Sequence, residues 1–169
     1  MRLLALIGAL AIVVAIGVAV FFFGGFFNVS AMEEDPGVVA WALGAVRSAS
    51  IIRHAGDVAP SSLDDPATAQ AGARAYAARG CVNCHGAPGV GWAKFSEGLQ
   101  PTPADLKEMA RSLNARQLFW VVKNGVRMTG MPSFAAAGTP DQEIWSIVAF
   151  VRTLPTLSDA DYQTWTTAP

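Results

Sequence analysis

Cys81-Val82-Asn83-Cys84-His85 constrains this chain more than any other stretch of its 169 residues. The two cysteines are the only ones present, they stand three residues apart, and a histidine follows at once. On a helical turn, residues i and i+3 face the same side. Both sulfurs then lie along one edge with an imidazole directly after them. Two thiols so placed can bond to the two vinyl groups of one porphyrin edge while the histidine turns onto the iron, and Cys-x-x-Cys-His is the c-type haem attachment signal. Other uses of paired cysteines fit less well. A thioredoxin-like redox pair belongs to a βαβ context, and no stretch here alternates as a strand does. Structural zinc takes four ligands, whereas the only other histidine is His54. A disulfide between residues this close closes too short a loop to stabilise much.

A second feature separates the chain into a leader and a polar remainder. From Leu3 to Phe27 no residue is charged, a run of about 37 Å as a helix, enough to cross a hydrocarbon core with some tilt. Arg2 precedes it and Glu33, Glu34 and Asp35 follow, so the charge rule leaves the N-terminus in the cytoplasm and the remainder outside. The competing reading is a cleaved signal peptide with Val29-Ser30-Ala31 as the small-residue site, but the apolar run exceeds the usual core of about 7–15 residues. Residues 1–27 are therefore read as an uncleaved anchor, single-pass in the inner membrane, with the rest in the periplasm. Export agrees with the cysteine motif, since c-type haem is attached outside the cytoplasm. No later apolar run approaches spanning length. Twelve Lys and Arg against 13 Asp and Glu, a formal net charge of −1, leave no basic footprint for nucleic acid.

After the anchor every periodic segment is helical. Val38, Trp41, Ala42, Ala45, Ala49 and Ile52 recur at helical spacing and predict an amphipathic helix over 37–55. Gly56 to Asp65 reads as linker. Asp65 as N-cap, Pro66 at the first helical position and Gly80 beyond the end predict a helix over 66–79. The glycines and prolines of 86–104 predict a loop with at most a turn of helix. Asp105 to Ser112 forms a short helix. Asn114 and Gln117 make a capping box for a helix to Asn124 that Gly125 stops. Thr139, with Gln142 three residues on, opens another by the same logic, ending at Leu154 before Pro155. Ser158 caps a last short helix through Trp165. The expected organisation is an anchor over 1–27, a juxtamembrane amphipathic helix and linker over 28–64, a haem domain over 65–157, and a short helix and tail over 158–169.

An iron held by His85 has an opposite position to fill, and methionine opposite histidine is the electron-transfer arrangement. Met1 and Met32 lie in or beside the leader, and Met109 sits in a helix. Met128 and Met131 lie in the loop after Gly125. Gly130 permits an unusual backbone angle and Pro132 stiffens the following bond, so Met131 is the expected sixth ligand and Met128 the alternative. A methionine that merely fills the crevice is the competing reading.

The Cys81–His85 motif, Gly130-Met131-Pro132 and the helix Ile144-Trp145-Ser146-Ile147-Val148-Ala149-Phe150-Val151 together resemble a single-haem class I cytochrome c over about residues 66–155. The segment from Phe27 to Ala55 is similar to the front part of membrane-anchored bacterial members. The resemblance implies an all-α fold, an N-terminal transmembrane helix followed by a cytochrome c-like helical haem domain. In it Gly72 and Tyr76 of an early helix cross Phe150 of a late one, with glycine permitting close approach. It also implies a proline carbonyl, from Pro101 or Pro103, accepting a hydrogen bond from the second ring nitrogen of His85. Trp92, Lys94 and Arg127 are candidates to approach the propionates, although a surface role is the simpler reading of each. His54 reads as a solvated helix end, and Phe119 and Trp120 as haem-pocket or core packing, core being the simpler reading.

One covalent haem c, bound through Cys81 and Cys84 and ligated by His85 and Met131, implies an electron carrier and not an enzyme. Its expected partners are membrane-bound electron donor and acceptor proteins and the lipid bilayer. The alternative within this class is a haem c subunit of a dehydrogenase or oxidase complex. A haem enzyme needs an open iron position and distal acid–base residues, and no distal histidine is available. A gas sensor needs an output domain, and none is seen.

Overall fold

The computed structural model describes residues 1–167, and among them the regular elements are all helical. The chain divides into two compact units, Met1–Glu33 and the part from Glu34 onward.

The first unit is α1, Arg2–Phe23, with no buried residue. Gly24 and Gly25 end it, the latter at φ +81°, so the helix stops four residues short of the predicted Phe27. Its 22 residues still reach about 33 Å, enough to span a bilayer core.

Among its described residues the second unit holds seven α-helices. These are α2 (Gly37–His54), α3 (Pro66–Ala78), α4 (Cys81–His85), α5 (Leu106–Ser112), α6 (Ala115–Asn124), α7 (Asp141–Thr153) and α8 (Asp159–Thr167). The start signals act as read. The Asp65 and Asp105 carboxylates accept from Ala67 N and Lys107 N, and Asn114 and Gln117 form the reciprocal capping box. Thr139 does not cap α7. Pro140 holds the N-cap position without a side-chain bond, and Thr139 Oγ1 is buried with no partner. The linker contains a 3-10 turn, Ser61–Asp64, which buries Leu63.

Helix α7 is the centre. Ile144, Trp145, Ile147, Val148, Ala149, Phe150 and Val151 are all buried because α3, α5 and α6 pack around it. The crossing with α3 is tightest at Gly72, where any Cβ would land on the Ser146 carbonyl. Four residues along α3, the Tyr76 ring lies 5.0 Å from Phe150. On the α6 side, Phe119 and Trp145 stack with centroids 3.9 Å apart and planes 11° from parallel. Helix α8 joins the same core through Tyr162, 4% exposed and 5.7 Å from the Phe150 ring. Thus α2 and α8, read from the sequence as flanking pieces, are structurally part of the domain.

Candidate haem site

Helix α4 is a single turn, and two glycines isolate it. Gly80 before it has φ +76° and Gly86 after it φ +64°, both in the left-handed region that suits glycine. The turn places Cys81 and Cys84 at i and i+3, unpaired and half-buried. Burial pushes the Cys81 thiol up to about 11.

Three contacts fix this turn. The Tyr76 hydroxyl donates to Gly86 O at 2.6 Å. Ser96 Oγ and Ala93 N both donate to Asn83 O, at 2.7 and 2.8 Å. Ser96 is fully buried, and it belongs to a 3-10 turn over Lys94–Gly98. Neither Tyr76's hydroxyl bond nor Ser96 is visible in the sequence pattern, because both act on backbone carbonyls that every residue carries.

His85 is half-buried, and its Nδ1 lies 2.9 Å from Ala104 O. A carbonyl can only accept, so Nδ1 carries the proton and Nε2 presents its lone pair. Burial lowers the imidazole pKa, with the Ala104 bond opposing. The ring is therefore neutral near pH 7, the form a metal ion requires. The acceptor is neither Pro101 nor Pro103. The loop register delivers the carbonyl immediately before the α5 N-cap Asp105, and residue type carries no information about which carbonyl arrives. A cleft of about 290 Å³ adjoins His85 and is lined also by Trp92, Leu106, Lys107 and Leu154. Met131 does not line it.

The loop with the two methionines folds back on the end of α6. Gly125, at φ +69°, lies so close to this loop that a Cβ would sit 2.6 Å from Pro132 C. Val126 N donates to Met131 O at 3.1 Å, and Met131 N donates to Thr129 Oγ1 at 3.1 Å. Ser133 Oγ donates to Lys123 O at 2.7 Å. Met131 is thereby held half-buried, while Met128 is 77% exposed. The unusual backbone angle belongs to Met128, at φ +58°, and not to Gly130. Gly130 is small for another reason, because the Leu99 side chain would lie 3.1 Å from its Cβ. That approach brings the loop supporting His85 against the loop carrying Met131.

The remaining candidates divide. Lys94 pairs with Glu97 at 2.6 Å, and Arg127 is exposed. His54 is the exposed last residue of α2, as expected, and it also makes contacts. Its Nδ1 bonds Ser50 O at 2.8 Å, and its ring stacks on Trp120 at 6.1 Å. Trp120 therefore packs against α2, and only Phe119 of the pair is fully buried.

The donor set fits a c-type haem. Two unpaired thiols share one face of a turn, and the adjacent imidazole has one nitrogen tied to backbone and the other available. Among the described residues no cluster of three or more His, Cys, Asp and Glu offers a competing metal site. The family described as Cytochrome C oxidase, cbb3-type, subunit III matches residues 67–151, from the first turn of α3 to the last turn of α7. No curated protein and no solved structure gives a match.

Proposed function

The chain belongs to the family of cytochrome c oxidase, cbb3-type, subunit III, and from that premise we propose a membrane-anchored periplasmic electron carrier with one covalent haem c. The domain is a cytochrome c domain, whose work is haem-based electron transfer. The observation that carries the finer reading is the Cys81–His85 turn with His85 Nδ1 bonded to Ala104 O at 2.9 Å.

Cys81 and Cys84 would hold the haem through thioether bonds, and His85 would ligate the iron through Nε2, with the Ala104 carbonyl fixing its tautomer and ring plane. Met131 would supply a second iron ligand, a soft neutral thioether that favours the reduced state over a harder donor. The group supplies a single electron-accepting and electron-releasing centre, and the protein supplies position, burial and potential. Tyr76, Ser96 and Ala93 hold the attachment turn through its backbone carbonyls. Ligation of the iron by both His85 and Met131 would leave no position for oxygen or peroxide, which suits transfer over catalysis. Helix α1 has the length and composition to cross a membrane. The flanking charges support an orientation with the domain outside the inner membrane.

The family description favours one narrower reading, a haem c subunit that passes electrons within a cbb3-type oxidase. Copurification of the full chain with oxidase subunits from detergent-solubilised membranes separates this from a free-standing carrier.

Denaturing electrophoresis with haem staining tests attachment. The band keeps its haem in the wild-type protein, and Cys81→Ala or Cys84→Ala weakens or removes it. Extraction of the wild-type haem into acidic acetone would refute covalent binding. Sequencing the mature N-terminus tests the anchor, since a start at Met32 would show cleavage.

A further inference from the structure

Helix α2 has two faces, and only one of them is used inside the protein. On the used face Ile51 is buried and the His54 ring stacks on Trp120 of α6. Just beyond the helix, Asp57 meets Lys123 Nζ at 3.4 Å, and the same ammonium bonds Asp141 at the start of α7 at 2.8 Å. The helix is thus fastened to the domain and its orientation is fixed. The opposite face is an apolar stripe. Val38 and Trp41 are each 72% exposed, and Val46 and Ile52 each 68%. Ala45 and Ala49 lie between them at helical spacing and are also exposed.

We propose that this stripe lies in the surface of the lipid bilayer that α1 spans, and that it sets the orientation of the haem domain on the membrane. The inference rests on the membrane-anchored reading of α1. Thirteen residues separate Phe23 from Gly37, so α2 is confined within about 45 Å of the end of the span. Within that reach the bilayer is the one extended apolar phase. Helix α2 contains no acidic residue, and Arg53 stands beside the stripe. An interfacial helix buries an apolar face at the boundary between headgroup and acyl chain, with cations at its edge and a tryptophan as anchor. Trp41 supplies the last. Because the other face of α2 is fastened to α6, seating the stripe removes the rotational freedom that a flexible tether would leave.

The test uses the full haem-loaded chain in phosphatidylcholine vesicles with and without brominated acyl chains, which quench tryptophan emission on contact. Brominated lipid lowers the emission of the wild-type protein, and Trp41→Phe abolishes most of that lipid-dependent loss. Trp120→Phe leaves it in place. Lipid quenching that survives Trp41→Phe, or no lipid quenching at all, overturns the proposal. Blue-shifted Trp41 emission without lipid quenching also overturns it, since a protein partner or a second copy then covers the stripe. Extraction of native membranes with alkaline carbonate reports separately on α1. A chain that is released has lost the anchor reading, while Trp41-dependent quenching decides the α2 inference in either case.

Discussion

Replacing Gly72 with alanine tests the packing that holds the domain together. In an exposed helix this change stabilises by about 1 kcal/mol, through lost freedom of the unfolded chain. At Gly72 the new methyl meets backbone of α7, the carbonyl of Ser146 and then Ile147 N at 3.0 Å. Neither is the tip of a flexible side chain, so the two helices must part. Overpacking of this kind costs about 1–3 kcal/mol. The parting also opens gaps beside Ala69 and Ala73 of α3, both buried, at about 1 kcal/mol for each methyl-sized void. After subtracting the helix gain, the expected loss is about 2–4 kcal/mol, or roughly 8–16 °C in Tm for a domain of this size. Thermal unfolding of the haem-loaded protein, followed by circular dichroism, measures it. Gly44→Ala is the matched control, because only Arg47 Nη2 at 3.9 Å lies near its Cβ. It should leave Tm unchanged or raise it. A Gly72→Ala protein as stable as the wild type would refute the argument that backbone contact at this crossing limits α3 and α7.

Two further outcomes follow from particular contacts. Tyr76→Phe removes the donor to Gly86 O and leaves that buried carbonyl unpaired, which should cost about 1–3 kcal/mol in urea unfolding with little change in volume. Glu143 is held below its ordinary carboxylate value of 4.5 by its hydrogen bond from Arg79. A group lowered in the folded state stabilises fully above its unfolded pKa. That contribution is lost as pH falls from about 4.5 through the lower folded value. Glu143→Gln should therefore flatten the acid limb of a stability–pH curve below pH 4.5 and reduce stability above it. An unchanged acid limb would show that the pair contributes nothing.

The legible parts of this protein are those written in residue type at fixed spacing. Cys81, Cys84 and His85 are adjacent in sequence and remain adjacent on one turn. Asp65, Asp105, and Asn114 with Gln117 cap helices whose boundaries follow from local chemistry alone. The Gly72, Tyr76 and Phe150 crossing was available through the family resemblance, and the structure supplies its cause in the Ser146 carbonyl. The illegible parts are contacts to backbone and across long separations. Ala104 supports His85 through a group that every residue has. Gly130 is small because of Leu99, 31 positions earlier. Its neighbour Met128 takes the positive φ, against the usual preference for glycine. Thr139 matched a capping pattern that α7 does not use. His54 bonds Ser50 O four residues earlier, but its contact with Trp120 on another helix follows from no local spacing.

The central claim, a closed haem site ligated by His85 and Met131, is tested most directly by the absorption spectrum of the oxidised protein in its Met–iron charge-transfer region. The band should be present in the wild type, absent in Met131→Ala and retained in Met128→Ala, with carbon monoxide binding only to reduced Met131→Ala. A band that survives Met131→Ala and disappears in Met128→Ala would move the ligand three residues. A wild-type protein that lacks the band and binds carbon monoxide would contradict the closed site and with it the reading as an electron carrier.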